Sequence, residues 1–148
     1  MELGEGDEIR GAPRAMTRER MRWYVDMLPT VEANDGRVHF GPPTIHDDDA
    51  YAKGQGLPGI IADGMISTNW ILDLMLRCFG EAALHGAGTL VTKFIAPVYE
   101  DMPLTAVLRV DRVELLPAGR RLLLSVRAED DERRPVTVGT ASVTLPAA

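Results

Sequence analysis

Cysteine is almost missing from this chain. Cys78 is the only one, so no internal disulfide can form and a reducing compartment is the simpler setting. It sits inside an apolar helical stretch, where a buried structural thiol is expected rather than a nucleophile. No window approaches the roughly 18 uninterrupted apolar residues that a membrane-spanning helix needs, and the N-terminal MELGEGDEIRG lacks a basic segment followed by an apolar run. A cytoplasmic protein away from the membrane is expected. There is no excess of basic charge either. A net charge of −6 argues against broad nucleic-acid binding, which requires a basic surface to displace counterions from phosphates. Any anionic ligand would need a local patch such as Arg120 with Arg121, Arg133 with Arg134, or Lys93. Internal repeats and low-complexity segments are also lacking.

What is present suffices for one domain spanning residues 1–148. At 148 residues and 45% hydrophobic content, the chain can bury a core without disulfides or metals. Residues 1–15, with Gly4, Gly6, Gly11 and Pro13, read as a loose arm or a short edge strand. In TRERMRWYVDM (17–27), Met21, Tyr24 and Val25 share a face, with Thr17 as N-cap and Pro29 as stop, which predicts a short amphipathic helix. Residues 30–43, ending in Gly41-Pro42-Pro43, predict a loop carrying His39.

His46-Asp47-Asp48-Asp49 then precedes AYAKGQG, a candidate helical turn broken by Gly54 and Gly56. Consecutive side chains cannot all converge on one cation, so no metal is expected here. Carboxylates in favourable dipole contact with a helix N-terminus explain the run. After Leu57-Pro58-Gly59, IIADGMISTNWILDLMLRCFG predicts the longest helix, apolar nearly all round and hence buried on several sides. Met65, Thr68, Asn69, Leu72 and Leu76 form one stripe, and Gly80 ends the helix ahead of a loop holding His85. The remainder is strand-like: TLVTKFIAPVY, PLTAVLRVDRVELL, RRLLLSVRAED and PVTVGTASVTL, separated by turn material and joined as hairpins. In the third, Leu122, Leu124, Val126 and Ala128 alternate with Leu123, Ser125, Arg127 and Glu129. The fold class is α+β, with a curved antiparallel sheet wrapped around the long central helix.

Residues 44–101 make the expectation more specific. His46, five residues and Ala52 are followed by LPGIIADGM and later by FIAPVYEDM. This order resembles the MaoC-like hydratase and dehydratase family of the hot-dog fold. The family signature runs Asp-x-Asn-Pro-x-His, five residues and a small one, a Gly/Pro loop, Ala-His-Gly-Met, and Phe-x-x-Pro-Val-x-x-Gly-Asp. The resemblance covers residues 17–115, with two departures. Gly41 stands where the family has its catalytic Asp, and Asp63 stands where Ala-His-Gly-Met has its histidine.

The resemblance implies an acyl thioester substrate, on coenzyme A or an acyl carrier protein, bound between the two subunits of a homodimer or larger assembly, with no cofactor. It implies hydratase or dehydratase chemistry by proton transfer beside the carbonyl. Given the altered motif, this includes a diverged reaction in specialised biosynthesis, in polyketide or fatty acid metabolism. His46 becomes the proton carrier, since an imidazole can both take and return a proton near neutral pH. Asp63 orients His46, stabilises its imidazolium or acts as a base itself, with a helix N-cap as a role that can coexist. Backbone N–H groups at Gly64 and Met65, at a helix start, can stabilise an enolate or oxyanion, with Gly64 admitting a close ligand. Thr68 and Asn69 are candidate pocket residues; His39 and His85 are expected to be structural or surface groups. Two alternatives remain open. One is a thioesterase using a helix carboxylate such as Asp73, although Asp73 also suits an i,i+4 ion pair with Arg77. The other is a non-catalytic acyl-binding or heteromeric subunit.

Overall fold

The computed structural model describes residues 3–26, 43–85 and 88–147. The expected loop at 30–43, with His39 and Gly41, lies outside the described residues except for Pro43.

The N-terminal segment is an edge of the sheet, not a loose arm. Strand β1 (Glu8–Arg10) pairs antiparallel with β4 (Pro103–Leu116), placing Ile9 opposite Leu108, and β2 (Arg14–Ala15) pairs with the start of β4. Of the two expectations for residues 1–15 the short edge strand holds, and with little apolar content it is backbone hydrogen bonds and ion pairs that hold β1. Arg10 contacts Glu8 and Glu129, and Arg127 contacts Glu8 and Glu129 in turn. Burial pushes Glu129 up, but hydrogen bonds from Arg127 and Arg10 outweigh it and hold the carboxyl below its ordinary range.

Helix α1 (Arg18–Asp26) starts where Thr17 Oγ1 accepts the Arg20 N–H, and it buries Met21. Helix α2 (Asp49–Gly54) is capped by Asp48, whose side chain accepts the Tyr51 N–H. Helix α3 (Gly64–Phe79) is capped by Asp63 and ends at Gly80, which takes φ +76°.

Strands β3 (Thr89–Phe94), β5 (Gly119–Glu129) and β6 (Pro135–Pro146) complete the sheet, in the order β1-β4-β5-β6-β3. The run β4-β5-β6 forms the expected hairpins. The first apolar segment does not: β3 pairs with β6 along its whole length, so the chain crosses between opposite sides of the sheet to reach β4. Residue types on β3 and β4 are alike, and strand propensity carries no information about partners. On β5, Leu122, Leu124, Val126 and Ala128 are all buried against the helix side, as their alternation requires.

Helix α3 packs on this face through Ile66, Ile71 and Met75, each worth about 1.5–3 kcal/mol when fully buried. Truncating Ile71 to Ala would cost about 2–5 kcal/mol. The stripe Met65-Thr68-Asn69-Leu72-Leu76 is not the packed one. Only Thr68 is buried, whereas Met65 is 41% and Leu76 37% exposed. On a helix apolar nearly all round, the sheet chooses the face. Two hydroxyl pairs fasten the interface, Thr68 Oγ1 to Thr92 Oγ1 at 2.8 Å and Ser67 Oγ to Thr137 Oγ1 at 2.7 Å. No described helix is long and apolar enough to cross a membrane, and the described residues hold no metal-binding cluster of His, Cys, Asp or Glu.

Candidate active site

His46 sits on a tight turn before α2. Asp47 Oδ1 accepts the Thr44 N–H at 2.7 Å, and the His46 N–H reaches Thr44 Oγ1 at 3.1 Å. This turn is joined to the extended residues 60–62, with Ile61 N–H donating to Ile45 O at 3.0 Å. On the other side, Ala62 N–H donates to Val98 O at 2.8 Å, and Ile61 bridges Tyr99. The Gly/Pro loop and FIAPV segment thus come together as one layer beside the N-terminus of α3.

His46 Nδ1 lies 2.9 Å from Ile61 O. A carbonyl oxygen can only accept, so Nδ1 carries the proton and the neutral ring keeps its lone pair on Nε2. That nitrogen is 4.0 Å from Asp63 Oδ2, with the two side chains 27% and 25% exposed. The separation is too long for a hydrogen bond but short enough for the carboxylate to act on a protonated ring. The other oxygen of Asp63 accepts the Met65 N–H at 2.8 Å, so capping and proximity to His46 coexist in one side chain. Burial raises the Tyr24 hydroxyl on α1, and the Asp63 charge pushes it the same way.

His46 and Asp63 line a cavity of about 560 Å³. Thr137 also lines it, and Leu57, Ile61, Phe94, Ile95 and Val98 make the walls apolar. Gly64 lines it too, in a way the sequence did not anticipate: a Cβ on Gly64 would lie 2.6 Å from the Phe94 ring. The glycine therefore admits this aromatic side chain against the helix start. The two amides expected to face an oxyanion differ in their partners. Asp63 occupies the Met65 N–H, whereas among the described residues the Gly64 N–H donates to no protein acceptor. Met65 itself points outward. Thr68 and Asn69 are not part of the lining either, since Thr68 is tied to Thr92 and Asn69 is exposed.

Asp73 belongs elsewhere. It pairs with Arg77 at 3.0 Å, as the i,i+4 spacing suggests, and also with Arg14 from β2; hydrogen bonds from Arg14 and then Arg77 hold it below the ordinary carboxylate range. It lines a separate cavity of about 200 Å³ with Trp70 and Leu104. His85 is exposed, and burial pushes the half-buried Cys78 thiol up. Thr137 and Phe94 line the cavity without having been anticipated. Phe94 had a signal in FIAPV, but Thr137, near the start of β6, had none.

A long helix clasped by an antiparallel sheet is the hot-dog fold, shared with solved MaoC-like dehydratases and (R)-hydratases. Three solved structures illustrate the likeness. The R-hydratase PhaJ1 from Pseudomonas aeruginosa is 24% identical with a TM-score of 0.72, covering 99% of this chain and 84% of that one. The (R)-hydratase from A. caviae involved in PHA biosynthesis is 20% identical with a TM-score of 0.69, covering 97% and 98%. A MaoC-like dehydratase from Rhodospirillum rubrum is 15% identical with a TM-score of 0.74, covering 99% and 94%. No family profile matches the chain, and no curated protein matches it. At these identities the likeness is one of fold.

Proposed function

We propose that this protein is a MaoC-like acyl-thioester hydratase or dehydratase, taking its substrate on coenzyme A or an acyl carrier protein. The observation that carries the reading is the Ile61 carbonyl. By holding the proton on Nδ1 it leaves the His46 lone pair on Nε2, beside Asp63 in an apolar-walled cavity at a helix start.

In the hydration direction, His46 Nε2 takes a proton from water and the resulting hydroxide adds to the β-carbon of an α,β-unsaturated thioester. The electron pair moves to the carbonyl oxygen, which accepts a hydrogen bond from the Gly64 N–H. The imidazolium then returns its proton to the α-carbon, and dehydration is the reverse. Asp63 stabilises the imidazolium between the two transfers. With Gly41 in place of the family Asp, His46 carries both transfers. A placed general base contributes about 10²–10⁴ in rate and one oxyanion donor about 10²–10³. Turnover of a panel of enoyl and 3-hydroxyacyl thioesters tests this. His46→Ala should lower it at least about a hundredfold while the protein stays folded, and near-normal turnover would end the proposal.

The same reading includes a homodimer. Its support is the outer edge of β3, a terminal strand whose neighbourhood exposes Val91, Phe94 and Ile95 next to the cavity. A monomer mass by light scattering at working concentration would remove this part. A cytoplasmic location goes with the single, unbridged Cys78, and cell fractionation checks it.

A further inference from the structure

The three aspartates after His46 have separate tasks. Asp47 closes the turn on Thr44 and Asp48 caps α2. Asp49 reaches across the loop instead. Its Oδ1 accepts the Ile60 N–H at 3.1 Å and its Oδ2 accepts Arg18 Nη1 at 2.8 Å. Arg18, at the start of α1, also donates Nε to both oxygens of Glu100 at 2.9 and 3.0 Å, and Nη2 to Glu100 Oε2 at 2.5 Å. One guanidinium therefore holds both flanks of residues 60–62, the segment that presents the Ile61 carbonyl to His46. Asp49 lies on the His46 flank, and Glu100 is two residues beyond Val98 on the other.

We propose that Arg18 and Asp49 are positioning residues for His46. Their clamp on Ile60, completed by Glu100, keeps the Ile61 carbonyl where it fixes the imidazole with its proton on Nδ1 and its lone pair on Nε2. This rests on the reading of His46 as the base and adds what sets its tautomer. Stability alone does not account for the arrangement. Arg18 and Asp49 are 33% and 41% exposed, and exposed ion pairs contribute little to folding. What the clamp supplies is geometry: a planar fork engaging two carboxylates at once, with one of these carboxylates also bonded to backbone. Second-layer contacts of this kind orient a histidine and select its tautomer.

The test reads the ring nitrogens of His46 directly. Long-range proton–nitrogen NMR spectra of protein carrying nitrogen-15 histidine are recorded for the wild type, Arg18→Met, Asp49→Asn and the double variant, with His46→Ala for assignment. The wild type is expected to show a protonated Nδ1 and a bare Nε2. Both single variants should move these signals toward the positions of a free imidazole in solution, and the double variant should move them no further than either single one. In turnover, kcat should fall about ten- to a hundredfold with KM little changed. Arg18→Lys, which keeps the charge but not the fork, should fall between Arg18→Met and wild type. Arg18→Met provides the reading even where Asp49→Asn fails to fold. Unchanged His46 ring signals in the folded variants, with or without a loss of melting temperature, would overturn the clamp. Near-normal turnover of His46→Ala would instead defeat the base reading while leaving the nitrogen spectra to decide the clamp.

Discussion

Replacing Asp63 separates the two roles of its carboxylate. Oδ1 caps α3 through the Met65 N–H at 2.8 Å, and Oδ2 stands 4.0 Å from His46 Nε2. Asparagine caps nearly as well as aspartate, so Asp63→Asn should lose only the charge–dipole term, about 0.3–1 kcal/mol. Asp63→Ala also loses the cap, for a total of about 1–2 kcal/mol. The effect on turnover follows a different order. A unit charge at 4 Å stabilises an imidazolium by about 1 kcal/mol in water and about 4 kcal/mol near a protein surface. A quarter-exposed pair lies between these limits. Both variants should therefore lose about five- to a thousandfold in kcat, at about 1.4 kcal/mol per decade. The assay pairs urea unfolding with loss of the conjugated-thioester absorbance. Wild-type turnover in Asp63→Asn would refute any part for the charge. An Asp63→Asn protein less stable than Asp63→Ala would refute the cap.

The buried Ser67–Thr137 pair should behave non-additively. Ser67 Oγ donates to Gly64 O at 2.7 Å, so the Thr137 hydroxyl must donate to Ser67. Ser67→Ala strands the buried Thr137 hydroxyl at about 1–3 kcal/mol, while adding Thr137→Val removes that orphan, and urea melts showing a simple sum would contradict this. Glu129 sets an acid limit. With its pKa held below the usual 4.5, the unfolded chain takes up the proton more readily, so its stabilisation is whole above about pH 4.5 and drains as pH falls further. Glu129→Gln should be less stable at neutral pH and flatter in thermal melts toward about pH 3, and equal slopes for the two proteins would dismiss the assignment.

Much of this protein was legible along the chain because it rests on local physics. The capped, glycine-ended helix, the alternation on β5 and the Asp73–Arg77 pair all follow from spacings of two to four residues. So does the neighbourhood of His46 and Asp63 once the motif order is recognised. Other features depend on contacts between residues far apart in sequence. Which face of a helix apolar nearly all round becomes core was settled by the sheet, which turned Met65 and Asn69 outward. The pairing of β3 with β6, and of the polar N-terminal strand with β4, came from backbone hydrogen bonds and ion pairs that composition does not register. The sequence by itself determined the hot-dog fold class and the His46 and Asp63 candidates. Only the tertiary structure decided that the His46 lone pair lies on Nε2, that Asp63 takes up the Met65 N–H, and that Phe94 and Thr137 line the cavity, because each depends on groups that folding alone brings within hydrogen-bonding or packing distance.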